Sequence, residues 1–243
     1  MKIRLLSDLH LEFLRRPHLF IKILAKSEKE SPSDVLVLAG DIHSANGIQD
    51  ALSTFADLFS NVVFVSGNHE FYQSSPTKVE KSIRKVVERY PNLHWLNNSS
   101  CEVAGQRFLG GTLWFEDPQS DESKWAMNDF GIIMNFEPWV YEQNALARKF
   151  LEANVVETDV VVTHHLPSYE VVDPKYAGSA LNKFFVCSMD RVIERQRPKL
   201  WLHGHTHSSV DRTLHSTKIA CNPYGYDLVE TNPNFIPNLQ INL

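Results

Sequence analysis

The sequence predicts an α/β fold, because short apolar segments alternate with helical ones along the chain. The apolar runs are typical of strands that are covered on both faces of a sheet. They lie at 3–6, 35–39, 62–65, 159–163 and 199–202. The helical patterns lie at 18–29, 48–59, 77–90, 141–154 and 182–195. Pro76 precedes one helical pattern and Pro198 follows another, which agrees with these boundaries.

Further strand-like segments occur at 107–113, 218–220, 226–229 and in the C-terminal tail. The chain contains no internal repeat, no low-complexity tract and no convincing linker. Its most polar, loop-like stretch, 118–124, is too short to separate two domains. A length of 243 residues suits one large domain, and we predict a single domain over 1–243.

Composition narrows the class of protein. A formal net charge of −5 weighs against a protein that coats nucleic acid, because phosphate backbones are bound by Lys and Arg. Three widely spaced cysteines without a C-x-x-C pair indicate neither a disulfide framework nor a thiolate zinc site. The first apolar run is too short for a signal sequence, and no run approaches the roughly 18 apolar residues of a membrane helix. We expect a cytoplasmic protein without membrane partners.

Polar side chains follow the predicted strands at the point where each strand ends. Ligands of open α/β sheets bind at that edge of the sheet. The motifs, in chain order, are Asp8-Leu9-His10, Gly40-Asp41, Gly67-Asn68-His69-Glu70, His164-His165 and His203-Gly204-His205-Thr206-His207.

The residue types in these motifs suit divalent metal ions. Carboxylates, imidazoles and an amide oxygen form a mixed N/O set that favours Mn²⁺, Fe²⁺ or Zn²⁺ over Ca²⁺. Two such ions set against Asp8 and Asp41 would leave a positive site suited to an anionic phosphate. Glycines beside Asp41, Asn68 and His205 would let the backbone turn sharply there.

The motifs D-x-H, G-D, G-N-H-E, H and G-H-x-H, in this order, resemble those of the calcineurin-like metallophosphoesterases. The resemblance spans Asp8 to His207 and implies a four-layer αββα sandwich of two mixed β-sheets flanked by helices. It implies two divalent metal ions, with Mn²⁺ first and Fe²⁺/Fe³⁺ or Zn²⁺ as alternatives. Its implied ligands are Asp8, His10, Asp41 and His207 for one ion, and Asp41, Asn68, His164 and His205 for the other.

The same resemblance implies that His69 is a proton donor or a stabiliser of the transition state, and that Glu70 supports the site. The length of the chain and the spacing of its motifs resemble those of the small bacterial phosphoesterases more than those of the Ser/Thr protein phosphatases. The protein phosphatases carry an arginine after G-D-x-x-D, whereas this chain has Gly40-Asp41-Ile42-His43-Ser44. This difference weighs against protein-phosphatase activity.

Several polar residues outside the motif set have open roles. His43 is a candidate to line the pocket, and the segments 128–130 and 222–225 could reach substrate. Adjacent residues at a strand end point in opposite directions, so only one of His164 and His165 is expected to be a ligand. The family pattern favours His164. A structural role is expected for His203, His18, His94 and His215.

The predicted activity is hydrolysis of a small phosphate mono- or diester, with nucleotides among the candidate substrates. In this interpretation a hydroxide that bridges the metals attacks phosphorus, Asp41 joins the two ions, and His69 protonates the leaving oxygen. One alternative is a phosphodiesterase specific for cyclic nucleotides or nucleic acid. The negative net charge of the chain does not favour nucleic acid as the substrate. The other is a metal-binding scaffold without activity, since a fold alone does not imply catalysis.

Overall fold

Two stacked β-sheets form the centre of the molecule, and helices cover both outer faces. The computed structural model describes residues 1–119 and 122–243. The first sheet consists of β1 (Lys2–Leu6), β2 (Val35–Ala39), β3 (Val62–Val65), β4 (Leu93–Trp95) and β13 (Gln240–Asn242). The second consists of β5 (Ser99–Val103), β6 (Gln106–Gly111), β7 (Val160–Thr163), β8 (Leu200–Leu202), β9 (Val210–Leu214) and β10 (Thr217–Cys221). A two-stranded hairpin, β11 (Gly225–Tyr226) and β12 (Glu230–Thr231), stands apart from both sheets.

Both sheets are mixed. The first has the order β13-β1-β2-β3-β4, in which β1 to β4 are parallel and β13 pairs antiparallel with β1. The second has the order β5-β6-β7-β8-β10-β9, with a parallel centre and an antiparallel strand at each edge. The carboxyl ends of several strands therefore lie at one edge of each sheet, and these edges carry the polar motifs.

The side-chain alternation of the strands divides the apolar residues into separate layers. Val35 and Val37 of β2 pack between the two sheets, together with Val160 and Val162 of β7. Leu36 and Leu38 of β2 point the other way, where they pack with residues of α1 (Pro17–Glu30), α2 (Ile48–Leu58) and α3 (Pro76–Arg89). The outer face of the second sheet packs with α5 (Trp139–Asn154) and α6 (Asp190–Gln196). The predicted sandwich of two mixed sheets flanked by helices is confirmed.

Most of the predicted elements are present, with small differences at their ends. The predicted helix at 182–195 is confirmed only over its second part, where α6 forms, and it was wrong for the residues before α6. A 3₁₀ helix (Ala180–Phe184) and α6 occupy its two ends, and the backbone between them pairs with the segment after β7. Cys187 N donates to Leu166 O, and Met189 N donates to Pro167 O. The apolar residues that resembled a helical pattern are buried by this tertiary pairing instead.

The predicted strand at 226–229 was also wrong, because most of that segment forms the turn between β11 and β12. The pattern missed β4, β5 and β9, which are edge strands with partly exposed side chains. Of the predicted loop at 118–124, positions 120 and 121 lie outside the described residues, and Glu122–Ala126 forms a 3₁₀ helix. A short helix, α4 (Asn128–Ile132), follows it. No helix in the described ranges has both the length and the apolar character that crossing a membrane requires.

Candidate metal centre

The carboxyl ends of five strands from both sheets converge on one site. Asp8 and His10 follow β1, Asp41 follows β2, and Asn68 follows β3. His164 follows β7, while His205 and His207 follow β8. The structure therefore brings together all seven side chains that the sequence suggested as ligands, and each is buried or nearly so.

The backbone at these strand ends is held in an unusual conformation. Asp8, His10, Asp41 and His205 have φ values of 49°, 42°, 56° and 65°, in the left-handed region that non-glycine residues seldom adopt. Such residues persist only where their surroundings fix them. Here Asp8 N donates to Gly40 O and His10 N donates to Asp41 O, both at 3.0 Å. These bonds tie the end of β1 to the end of β2.

Glycines allow the ligand-bearing turns to approach one another. A Cβ atom on Gly67 would collide with Oδ1 of Asp41, and one on Gly204 would lie 2.9 Å from Oδ2 of Asp8. Gly40 also has a φ of 87°, which favours glycine. The glycines expected to bring the ligands close therefore have a direct steric reason to be there.

The candidate ligands form two groups joined by Asp41. Asp8, His10 and His207 make one group, in which one ligand atom from each residue lies within 4.8 Å of the others. Asp41, His164 and His205 make the second group by the same measure. Asn68 adjoins the second group, with Oδ1 at 3.1 Å from Nε2 of His164.

Asp41 faces both groups with its two carboxylate oxygens. Its Oδ1 lies 3.5 Å from Nε2 of His164, and its Oδ2 lies 3.8 Å from Nε2 of His10. Oδ1 also accepts a hydrogen bond from His69 N at 2.9 Å. The carboxylate is thus placed to contact a cation on either side.

The donor atoms fit the two divalent ions that the fold family implies. Oδ2 of Asp8 is buried and has no hydrogen-bond partner in the described part of the chain, an arrangement that is costly without a cation. Ring nitrogens face one another, at 3.3 Å between His10 and His207 and at 3.1 Å between His164 and His205. Burial lowers the pKa of His10 to about 4, which keeps its ring in the neutral form that binds metals.

Three carboxylates outside the ligand set hold these residues in place. Glu230 lies 3.1 Å from Nδ1 of His207, and Asp129 accepts from Nδ2 of Asn68 at 2.9 Å. The second contact turns Oδ1 of Asn68 towards His164. Partners of this kind fix the orientation of a metal ligand and adjust its basicity.

Glu70 is the third of these carboxylates. It accepts from the backbone N–H groups of Asp41, Ile42 and Gly67, at 3.0, 2.7 and 2.6 Å. Burial and the neighbouring Asp41 raise the pKa of Glu70 to about 8. These contacts join the loop that carries Asp41 to the loop that carries Asn68, so Glu70 holds both ligand-bearing loops in place.

His69 lies beside the two groups and belongs to neither pair of facing ligands. Its Nδ1 is 3.3 Å from Oε1 of Glu12, and its Nε2 is 3.0 Å from the hydroxyl of Tyr226. The ring also stacks on Tyr72, with a centroid distance of 4.0 Å. Burial lowers the pKa of His69, but the carboxylates of Asp41 and Glu12 outweigh it and raise the pKa overall.

The sequence analysis missed Glu12, Tyr226 and Glu230. Glu12 stands two positions after His10, so its place near the D-x-H motif was the available signal. Nothing near Tyr226 or Glu230 in the sequence marks them, because the β11–β12 hairpin brings them to the site from far along the chain.

The residues with open roles are now placed. His164, not His165, lies beside Asp41; the ring of His165 packs 4.2 Å from that of His205, and its Nδ1 is 3.2 Å from Thr112 O. His203 is buried outside both groups. His43 packs over Gly47 and is not among the residues that line the described cavity, so of its two open roles the structure favours that of a loop residue.

The two polar segments differ in their roles. Asn128 lines the cavity and Asp129 holds Asn68, so the 128–130 segment does reach the site. In the 222–225 segment, Asn222 Nδ2 donates to Leu5 O and Ile236 O, which joins β1 to the C-terminal tail. None of the 222–225 residues lines the described cavity, so the structure gives this segment a structural role.

A cavity of about 320 Å³ opens beside the ligand groups. Asp41, Asn68, His205 and His207 form its inner end. Its walls come from His69 and Tyr226, from the 126–128 segment and from the long connection between β7 and α6. A volume of this size is in the range of small-molecule sites.

The chain is similar to proteins of diverse origin. It is 25% identical over 270 residues to an uncharacterised protein of Acanthamoeba polyphaga mimivirus, covering 96% of this chain and 94% of the viral protein. Its fold resembles that of the phosphopantetheinyl hydrolase of Mycobacterium tuberculosis, at 16% identity and a TM-score of 0.68, covering 93% of this chain and 89% of the hydrolase. It also resembles a dimetal phosphatase from Danio rerio, at 12% identity and a TM-score of 0.58, covering 91% and 86% of the two chains.

These structural likenesses, at low identity, concern the fold. The sequence itself matches the calcineurin-like phosphoesterase family over residues 1–209, a range that contains every candidate metal ligand. The chain therefore belongs to the calcineurin-like phosphoesterase family.

Proposed function

We propose that this protein is a dinuclear-metal-dependent hydrolase of phosphate esters. The observation that supports it most directly is the pair of ligand groups that share Asp41, whose carboxylate oxygens lie 3.5 and 3.8 Å from histidine nitrogens on either side. One ion would be held by Asp8, His10, Asp41 and His207. The other would be held by Asp41, Asn68, His164 and His205, with Mn²⁺ as the first candidate and iron or Zn²⁺ as alternatives.

When bound, the two ions would supply Lewis acidity to the phosphoryl group and lower the pKa of a water molecule. The protein's own residues would orient the ester and handle the leaving group. His69 presents Nε2 to the hydroxyl of Tyr226, a position that substrate oxygen could take. The carboxylate of Glu12 on the other ring nitrogen favours the protonated ring, so we assign His69 as the general acid.

The proposal is tested by a hydrolysis panel with and without Mn²⁺. The panel contains p-nitrophenyl phosphate, bis-p-nitrophenyl phosphate, cyclic nucleotides and short oligonucleotides. We expect ester hydrolysis that chelation abolishes, and close to two metal ions per chain by elemental analysis. Activity that survives chelation in a metal-free sample would contradict the proposal, and metal binding without any hydrolysis would support the scaffold alternative.

Two wider predictions accompany this proposal. The single domain over 1–243 stays a prediction, which limited proteolysis of the metal-loaded protein would test. A cytoplasmic location also stays a prediction; it agrees with the three unpaired cysteines, Cys101, Cys187 and Cys221, in the described part of the chain. Localisation of the tagged chain in its own cells would test it.

A further inference from the structure

The cavity beside the metal centre has a distinctive charge. Among the described residues that line it there is no Lys or Arg. Besides the shared Asp41, the lining contains two more acidic residues, Asp173 and Glu230. Lys175 lies beside Glu230, with its Nζ 4.0 Å from Oε1, but Lys175 is not among the described lining residues and its side chain is half-exposed.

Away from the candidate ligands and from His69, which lies beside Asp41, the described wall is uncharged and largely apolar. Met127, Leu166, Val172, Leu181 and Phe185 contribute hydrocarbon surface. Asn128, Ser179 and Asn182 add neutral polar groups. A ligand group seated among these residues would meet apolar contacts and neutral hydrogen-bonding partners, and no Lys or Arg of the described lining would face it.

The charge of the metal centre does not by itself distinguish the two classes of phosphate ester. Two divalent ions set against the carboxylates of Asp8 and Asp41 would leave a net charge of about +2, which suits a phosphate monoester as well as a diester. The two classes differ in the number of organic arms, since a diester has a second arm that needs a surface outside the cavity.

A second surface is available for the other arm of a diester. Phe13 does not line the cavity, and its ring is 51% exposed. The ring centroid lies 6.1 Å from that of His10 and 5.6 Å from that of Tyr226. An exposed aromatic ring next to a candidate metal ligand could pack against an ester arm that points out of the cavity.

We infer that the substrate is a phosphate diester whose cavity-bound arm carries no negative charge and is partly apolar. This inference rests on the proposed phosphoesterase function. It excludes nucleoside di- and triphosphates and other polyanionic esters as good substrates, because a second anion would face Asp173 and Glu230.

Symmetric diesters test the inference without depending on which arm enters the cavity. The set is bis(4-hydroxybutyl), bis(4-aminobutyl) and bis(3-carboxypropyl) phosphate, with 4-hydroxybutyl phosphate as the monoester. With Mn²⁺, we expect kcat/KM for the hydroxyl and amino diesters to exceed that for the carboxylate diester by at least about tenfold, since charges a few ångströms apart interact by several RT at a protein surface. We also expect it to exceed kcat/KM for the monoester, which has no second arm to place against Phe13. Equal or better hydrolysis of the carboxylate diester or of the monoester would overturn the inference.

A matched pair of variants separates local charge from net charge. Ala126 is exposed and lines the cavity, whereas Ala145 is exposed on α5 outside the lining. Ala126→Lys should reduce the ratio of kcat/KM for the hydroxyl diester to that for the carboxylate diester several-fold. Ala145→Lys should leave this ratio unchanged. Leu181→Lys, elsewhere in the lining, repeats the test if Ala126→Lys folds poorly. If Ala145→Lys reduced this ratio as much as Ala126→Lys, the net charge of the protein, and not the cavity wall, would disfavour anionic arms.

Phe13→Ala tests the outer surface. It should lower kcat/KM for the hydroxyl diester several-fold more than for the monoester, because only the diester has an arm to place there. Ile23→Ala, which removes a comparably exposed apolar side chain from α1, is the control. Equal effects of Phe13→Ala on both esters would overturn the role of that surface. If p-nitrophenyl esters are hydrolysed but these preferences are absent, the inference fails and the proposed function stands; if no ester is hydrolysed, both fail.

Discussion

Asp41 is the single residue on which the two halves of the candidate metal centre depend. Its two oxygens approach His10 and His164, whereas Asp8 belongs only to the group with His10 and His207. We expect Asp41→Asn to weaken both metal sites, and Asp8→Asn to weaken one. Turnover and metal stoichiometry of the two variants provide the measurement. Equal losses of activity, with one ion retained in each variant, would remove the bridging role of Asp41.

His69 is expected to act on the leaving group, because its Nε2 points to the Tyr226 hydroxyl while Glu12 supports Nδ1. General acids contribute about 10²–10⁴-fold, and more when the departing oxygen is a poor leaving group. His69→Asn should therefore slow alkyl esters much more than p-nitrophenyl esters, with metal content nearly unchanged. The measurement is kcat/KM across esters of rising leaving-group pKa. If kcat/KM depended on leaving-group pKa in the same way for both enzymes, His69 would instead provide electrostatic support to the phosphoryl oxygens. Loss of metal from the variant would mean that His69 is a metal ligand.

Among the elements, α1 is fixed to the first sheet by a buried arginine that the apolar strand pattern did not single out. Arg4 of β1 is fully buried, and its Nη2 donates to Ser31 O at 2.8 Å at the end of α1. The same atom lies 3.2 Å from Oε2 of Glu28. The guanidinium thus satisfies carbonyl groups at the C-terminus of the helix and neutralises a partly buried carboxylate.

We expect Arg4→Ala to lower the free energy of unfolding by about 3 kcal/mol or more, the usual effect of breaking a buried ion pair. Lys26→Ala is the matched control on the same helix. Lys26 pairs with Glu30 at 3.7 Å, but both side chains are largely exposed, and such pairs contribute about 0–1 kcal/mol. Urea unfolding of the metal-free variants gives both values. A loss for Arg4→Ala as small as that for Lys26→Ala would contradict this account.

At the scale of the whole molecule, the buried histidines make stability depend on pH. Burial lowers the pKa of seven histidines: His10, His94, His164, His165, His203, His205 and His207. The pKa values of His10 and His203 fall to about 4, so between about pH 4 and 6.5 these two rings are protonated in the unfolded chain but not in the folded one. The other five act in the same direction below pH 6.5, so unfolding takes up protons and stability falls as pH falls. Five groups whose pKa values are raised act in the opposite direction but are fewer: Asp8, His69, Glu70, Glu80 and Asp129.

The metal-free protein should therefore lose unfolding free energy from pH 6.5 towards pH 4, by about 1.4 kcal/mol per pH unit for each net proton taken up. Mn²⁺ should stabilise the protein strongly at pH 7 and much less at pH 5, because protonated histidines do not bind it. Denaturant unfolding at several pH values, with chelator or with Mn²⁺, measures both effects. A metal-free protein as stable at pH 5 as at pH 7 would contradict the assignment of neutral buried rings.

The sequence by itself determined the α/β class, the family and the set of candidate ligands. Each of those signals is local, since a strand, the turn that ends it and the ligand after it are consecutive in the chain. The strands predicted at 35–39 and 62–65 match β2 and β3 residue for residue, because a strand buried on both faces needs continuous apolar residues.

Tertiary structure alone decided which side chains support the ligands and what shape the cavity has. Glu12 reaches His69 across 57 positions and Tyr226 reaches it across 157, so no local pattern could pair them. The same reason explains why the predicted helix at 182–195 is broken before α6, where pairing with Leu166 and Pro167 overrides a helical pattern that the sequence does contain. Folding also decided that no Lys or Arg stands among the described residues of the cavity wall, because the charge of a site is the sum over residues that folding brings together.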